Sequence, residues 1–213
     1  MEETKKNIHV VAYPRSGSSY MVGLLGEVFG IWYNHQIFKS HLDTDEDFYL
    51  YSKAKSTNFK QDNFIVTILR DPIDTFTSAL CQELFFDKNN INELFSIRMS
   101  DNKNGSMIES YKSFWKNVPT FADLILNYND INSDRDNIVK YISNNTGYGI
   151  RKKRCGSLFY DDNFIKDRIH LRFIRSSKDH SEYNLIKEKL QSIDLDDCYK
   201  IYNNLLPKCK NFE

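Results

Sequence analysis

The sequence predicts an α/β fold: one domain over residues 1–213, with a parallel sheet covered on both faces by helices. Two observations carry this. Short apolar runs alternate with segments of helical spacing, at least three times along the chain. Each apolar run also ends in a turn signal that opens a helix, as the carboxyl end of a buried strand does.

The first unit starts at Ile8–Tyr13 (IHVVAY), a buried-strand candidate that stops at Pro14. A small-residue loop, Arg15 to Ser19, follows. From Tyr20 to Phe29 the apolar positions Met21, Leu24, Leu25 and Val28 have helical spacing, and Gly30 stands where a helix C-cap is expected. The second unit pairs Phe64–Leu69 (FIVTIL) with the turn Arg70-Asp71-Pro72 and a helix from about Ile73 to Phe86. Pro72 suits a first helical turn, where its missing N–H costs nothing. The third pairs Asp123–Tyr128 (DLILNY) with a helix over Ser133–Asn144. Before it, Ser106–Trp115 reads as a helix with Ile108, Tyr111 and Trp115 on one face. Two more helices are expected near Tyr183–Ser192 and Asp196–Leu206.

At 213 residues, the chain is long enough for one sizeable core and short for two. Lys plus Arg and Asp plus Glu number 29 each, so net charge gives no sign of a nucleic-acid partner. No apolar stretch approaches a membrane span, and no apolar leader follows Met1. Cys81, Cys155, Cys198 and Cys209 lie far apart and form no metal-binding spacing. Reduced thiols and a cytoplasmic location are therefore expected, with no metal.

Ligands of open parallel sheets sit at the carboxyl ends of strands. A loop there that opens a helix offers free N–H groups and the positive end of the helix dipole to an anion. The segment from Pro14 to Ser19 has the chemistry for this: Gly17 permits close backbone approach, Ser16, Ser18 and Ser19 bring hydroxyls, and Arg15 brings a fixed positive charge. A plain capping turn without a ligand is the alternative. The Walker pattern GxxxxGK[ST] is absent, which counts against a nucleotide-hydrolysing enzyme.

Tyr13-Pro14-Arg15-Ser16-Gly17-Ser18-Ser19-Tyr20 resembles the 5′-phosphosulfate loop of sulfotransferases, which reads YPKSGTTW in cytosolic members and often RSGSS in carbohydrate-modifying ones. Arg15 stands where the cytosolic members have lysine. Arg70-Asp71-Pro72 resembles the family's 3′-phosphate motif, RxP. There an arginine and a serine eight residues later hold the 3′-phosphate, which places those roles on Arg70 and Ser78. Lys39-Ser40-His41-Leu42 resembles the family's KTHL stretch. The resemblance implies His41 as general base, with Lys39 and Arg15 offsetting charge on the transferring group. His35, Asp43, Asp45 and Glu46 are the rival bases.

Tyr128 falls on the tyrosine that packs against adenine in the family, with Asn129 in place of the usual glutamate. Arg151, Lys152 and Gly156 align with a late RKGxxG element that closes over the 3′-phosphate, while Lys153 replaces its first glycine. The resemblance thus implies the sulfotransferase fold, related to that of P-loop nucleotide kinases. It further implies 3′-phosphoadenosine-5′-phosphosulfate (PAPS) as co-substrate, bound by Arg15, Ser16, Gly17, Ser18, Ser19, Tyr20, Arg70, Ser78, Tyr128, Arg151 and Lys152. The acceptor would be a hydroxyl or amine of a small molecule or carbohydrate. A non-catalytic nucleotide-binding protein and a small-molecule kinase are the alternatives.

Overall fold

The computed structural model describes residues 5–31, 35–40, 52–87, 90–99, 106–151 and 181–212. Four parallel strands form one sheet in the order β2-β1-β3-β4: β1 (Asn7–Val11), β2 (Ile37–Ser40), β3 (Asn63–Leu69) and β4 (Leu124–Asn127). Because β2 and β3 flank β1 on opposite sides, the chain reverses its winding direction between β1 and β3. That reversal opens a crevice at the carboxyl ends of the two strands. It also sends the helices of the two connections to opposite faces.

Side-chain alternation along each strand sorts the core into two layers. Ile8 and Val10 of β1, Phe64, Val66 and Ile68 of β3, and Leu124 and Leu126 of β4 pack on one face against α1 (Ser18–Phe29). The other face takes Val11, Ile65 and Leu69. It is covered by α3 (Pro72–Asp87), with α5 (Met107–Asn117), α8 (Tyr183–Gln191) and α9 (Asp196–Leu205) beyond. β3 is buried at every position, as a central strand covered on both faces must be. The remaining helices are α2 (Thr57–Asp62), α4 (Ile91–Met99), α6 (Asp130–Ser133) and α7 (Arg135–Thr146).

The sequence-expected strands and helices appear with ends moved by a few residues, as frayed ends allow. Gly30 closes α1 in the left-handed conformation (φ 61°), its N–H donating to the Gly26 carbonyl. The helix expected over Ser133–Asn144 is α7, and the short α6 precedes it, ending at Ser133. Among the described residues, β2, α2, α4 and the short α6 are not anticipated by the sequence. β2 is only four residues long and is half polar, so alternation gives little signal. Its place is set by pairing, with Ile8 beside Ile37 and Val11 beside Ser40.

Edge strand β4 does not end in open solvent. Lys210 N–H donates to the Ile125 carbonyl (2.9 Å), and Phe212 packs edge-on to Tyr141. A short C-terminal segment therefore covers part of the edge that would otherwise invite strand pairing. No helix among the described residues is long and apolar enough to cross a membrane. Cys81, Cys198 and Cys209 are free thiols, and burial pushes them up to about 11, 12 and 12 respectively. Cys155 lies outside the described residues.

His9 is a buried polar residue on β1, stacked on Phe38. Its Nε2 lies 2.8 Å from the Asn63 side-chain oxygen, while Asn63 Nδ2 donates to the Phe59 carbonyl. This assigns the proton to Nε2 and leaves Nδ1 bare and buried without a partner. Burial holds the imidazole below its ordinary value, against the raising effect of Asn63. The unfolded chain takes up a proton near 6.5 that the folded chain resists. The contribution of His9 to stability is thus full above that pH and falls as the pH drops through it, by at most about 1.4 kcal/mol per pH unit. Urea midpoints at pH 7 and pH 5 should show a smaller acid loss in His9→Gln, which can still donate to Asn63 but does not titrate. Equal losses in both proteins would remove His9 as the cause.

Candidate functional site

The loop after β1 carries two left-handed residues, Arg15 (φ 66°) and Gly17 (φ 90°). For an arginine, this backbone region is unfavourable and persists only when surroundings enforce it. Two contacts do so. Ser16 N–H donates to the Tyr13 carbonyl (3.2 Å), and the Arg15 carbonyl accepts from Arg70 Nη1 at 2.6 Å. Gly17 is the N-cap of α1 and has no side chain to satisfy the first turn. The leading N–H groups of that turn thus have no partner within the helix.

Gly17 answers a second demand as well. A Cβ there would meet the Tyr128 ring at 3.0 Å, so a side chain would push the tyrosine away. Tyr128, at the end of β4, is anchored by its own N–H to the Leu69 carbonyl (2.8 Å). Its ring lies under the Arg70 guanidinium, 4.3 Å from Cζ to centroid, a cation–π contact. The carboxyl ends of β1, β3 and β4 are thereby tied together through Gly17, Arg70 and Tyr128.

The second loop opens α3. The Asp71 side chain accepts from Asp74 N–H (3.1 Å) and from the Tyr199 hydroxyl (3.3 Å), an N-cap braced from α9. Ser78, about 9 Å along α3 from Pro72 by helical rise, accepts from Arg15 Nε at 3.2 Å. One residue of the first loop thus reaches the helix of the second. From the other side, Lys39 of β2 donates to Ser19 Oγ at 2.8 Å. The unanticipated β2 delivers this lysine, because Lys39 pairs with Val10 immediately before the loop.

Three cations therefore converge on the switch-point crevice. Burial, and then repulsion from Arg70, hold Arg15 below its ordinary value. Burial, and then repulsion from Arg15, do the same to Lys39. Arg70 Nε is buried without a hydrogen-bond partner. Like charges this close repel more strongly in a partly buried site than in water. Massing like charges here is thus a standing cost that an anion would remove. The arrangement can hold a polyanion with one charge at the first loop and one near Arg70 and Ser78.

The sequence-expected site residues do not all come together. Arg15, Ser16, Gly17, Ser18, Ser19, Lys39, Arg70, Ser78 and Tyr128 are brought to the carboxyl edge of the sheet. Tyr20, in the first turn of α1, packs its ring against the α1-side core. Arg151 goes elsewhere: its N–H donates to the Val28 carbonyl (2.9 Å) and its Nη2 to the Gly30 carbonyl (3.1 Å). It caps the far end of α1, about 18 Å of helix from the first loop. A cation is favoured there by the negative end of the dipole, so in this structure Arg151 acts as a helix cap and not at the two loops. His41, Lys152, Asp43, Asp45 and Glu46 lie outside the described residues, and His35 is exposed in the turn before β2.

Two residues of the site were missed as such. Tyr13 donates to the Met107 carbonyl (3.0 Å), and Tyr111 donates to the Arg70 carbonyl (3.4 Å), so α5 contacts both loops. For Tyr111 the sequence signal was the spacing of Ile108, Tyr111 and Trp115, which says "buried face" and nothing about loops; Tyr13 stood in the loop motif with no sign of its tie to α5.

No family model matches the chain, and no curated protein matches it. Among solved structures it is similar to the mouse sulfotransferase SULT7A1 complexed with PAP. The identity is 15%, covering 96% of this chain and 90% of that one, with a TM-score of 0.49.

Gly17 and Gly26 give an internal comparison within α1, one at its N-cap and one in its last turn. Gly17→Ala forces an alanine into a left-handed backbone and against Tyr128, and should cost about 1–2 kcal/mol along with anion binding. A Cβ at Gly26 meets only the Ile31 carbonyl at 3.5 Å, so Gly26→Ala should be neutral or stabilise by up to about 1 kcal/mol. Denaturation midpoints and sulfate titration of both variants check this. Equal behaviour of the two would mean that the loop backbone is not specified as described.

Proposed function

We propose that this protein is a sulfotransferase that uses PAPS and modifies a hydroxyl or amine of a small molecule or carbohydrate. The observation that carries the reading is the convergence of Arg15, Lys39 and Arg70 with Ser19 and Ser78 at one sheet edge. Two anion positions spanned by one arginine suit a nucleotide charged at both its 5′ and 3′ ends. In this reading the first loop and the start of α1 hold the 5′-phosphosulfate, Arg70 and Ser78 hold the 3′-phosphate, and Tyr128 borders the adenine.

The reaction moves one sulfuryl group. The acceptor oxygen or nitrogen forms a bond to sulfur as the bond from sulfur to the 5′-phosphate oxygen breaks. The bonding electrons leave on the phosphate, and the acceptor proton passes to a base. In this reading Arg15 and Lys39 offset the charge that grows on the departing phosphate, since fixed cations stabilise such charge without reorganising. Arg15 remains protonated throughout and acts by charge and hydrogen bonding alone.

His41 is the proposed base. It follows Ser40, whose carbonyl accepts from Ala12 N–H (3.1 Å) at the end of β2. Consecutive Cα atoms are about 3.8 Å apart, so residue 41 follows directly on a strand that borders the first loop. A neutral imidazole accepts a proton well near pH 7.

The test is transfer of label from ³⁵S-PAPS into a panel of hydroxyl and amine acceptors. Wild type should label at least one class, and His41→Ala should lose about 10²–10⁴-fold in turnover while PAPS binding persists. Its acid limb, from protonation of the imidazole, should vanish with the side chain. Binding of PAPS without transfer to any acceptor would make the protein a nucleotide binder. A His41→Ala enzyme with more than about a tenth of wild-type turnover would move the base to Asp43, Asp45, Glu46 or His35.

A further inference from the structure

Beneath the two loops lies an aromatic cluster that the proposed chemistry does not use. Tyr111, on α5, is 1% exposed. Its ring meets Tyr13 edge-on at 5.2 Å and Phe76 of α3 edge-on at 5.4 Å. Tyr13 in turn touches Phe76 and Phe114 in the same manner, at 6.3 and 5.8 Å. Tyr111 is therefore wedged between the residue that leads into the first loop and the helix that follows the second.

Hydrogen bonds run along the same path. The Tyr13 hydroxyl donates to the Met107 carbonyl, and the Tyr111 hydroxyl donates to the Arg70 carbonyl. Residues 107 and 111 are one helical turn apart and share a face, so a single face of α5 holds both loops. Arg70 closes the circuit by donating to the Arg15 carbonyl, two residues from Tyr13. Burial, with Cys198 and Asp71 nearby, pushes the Tyr111 phenol well above its ordinary value, so it stays protonated as a donor.

We propose that Tyr111 is a positioning residue that fixes the separation of the two loops and thereby couples anion binding at Arg70 to anion binding at Arg15. This rests on reading the site as one for a nucleotide charged at both ends. The hydroxyl holds the backbone of Arg70, and the backbone sets where the guanidinium points. The ring holds Tyr13, which leads into the left-handed turn of Arg15. With both contacts in place, a ligand that engages one loop finds the other already at the right distance.

The test uses Tyr111→Phe, which keeps the ring and removes the hydroxyl. Adenosine 3′,5′-bisphosphate, adenosine 5′-monophosphate and inorganic sulfate are titrated by calorimetry. One lost hydrogen bond should weaken bisphosphate binding roughly threefold to tenfold, with 5′-monophosphate affinity held within about twofold. The readout is the ratio of those two affinities, which a purely structural role would leave alone even as the melting temperature fell. An unchanged ratio in the folded variant overturns the proposal. Tyr13→Phe cuts the companion tie to α5 and should lower the same ratio. If Tyr111→Phe does not fold, the ratio in Tyr13→Phe decides, and an unchanged value there overturns the proposal. A wild-type protein that binds sulfate without preferring the bisphosphate would defeat the nucleotide reading alone. Sulfate affinity then decides: a fall of about threefold or more in Tyr111→Phe supports the coupling, and equal affinities overturn it. Wild type that binds none of the three probes overturns both.

Discussion

The contact on which the site depends is the 2.6 Å hydrogen bond from the Arg70 guanidinium to the Arg15 carbonyl. It crosses the point where the sheet reverses its winding, and it joins two loops that follow different strands. It also imposes a cost. Accepting from Arg70 helps hold Arg15 in a left-handed backbone, and it brings two guanidinium groups close enough to repel each other. A folded protein retains such an arrangement where strain and unfavourable charge serve a site. Much of the surrounding structure makes sense as support for this one bond. Tyr128 lies under Arg70, Tyr111 and Tyr13 brace the loops from α5, and Asp71 is pinned from α9.

The sheet explains why these groups meet. Parallel strands place all their carboxyl ends on one edge, and the 2-1-3-4 order puts the β1 and β3 loops beside each other. A single cation at that edge would be a surface charge. Three of them, partly buried, with Arg70 Nε lacking a hydrogen-bond partner, repel one another, and an anion would relieve that repulsion. The serines add direction, since a hydroxyl at Ser19 or Ser78 can turn from its present partner to a ligand oxygen.

How far the sequence could be read depended on the range of the interactions. β1 and β3 were legible because buried strands need unbroken apolar runs, β4 because its short apolar stretch ends in a turn signal, and α1 because its apolar residues recur at helical spacing up to the Gly30 cap. The positions of the two loops were legible because each lies between a buried apolar run and a segment of helical spacing. β2 was not, since a four-residue strand beside β1 is specified by its partner and scarcely by its own side chains. Arg151 was ambiguous for a related reason. A basic run after a helix reads equally as a phosphate clamp or as a helix cap, and the choice lies in the free carbonyls of Val28 and Gly30, more than 120 residues earlier in the chain. The bracing by Tyr13 and Tyr111 was illegible because aromatic contacts between residues so far apart in the chain leave no local pattern.

The central claim is that two separate anion positions, tied by Arg15 and Arg70, receive one nucleotide charged at both ends. Comparative stabilisation by ligands addresses it most directly. At about 100 times its dissociation constant, a ligand specific to the native state adds roughly 2.7 kcal/mol of stability. Thermal melts should therefore show adenosine 3′,5′-bisphosphate raising the transition well above both adenosine 5′-monophosphate and ATP at equal concentration. ATP matching or exceeding the bisphosphate would contradict the account, because it would show a site that reads phosphate number and ignores the 3′ position.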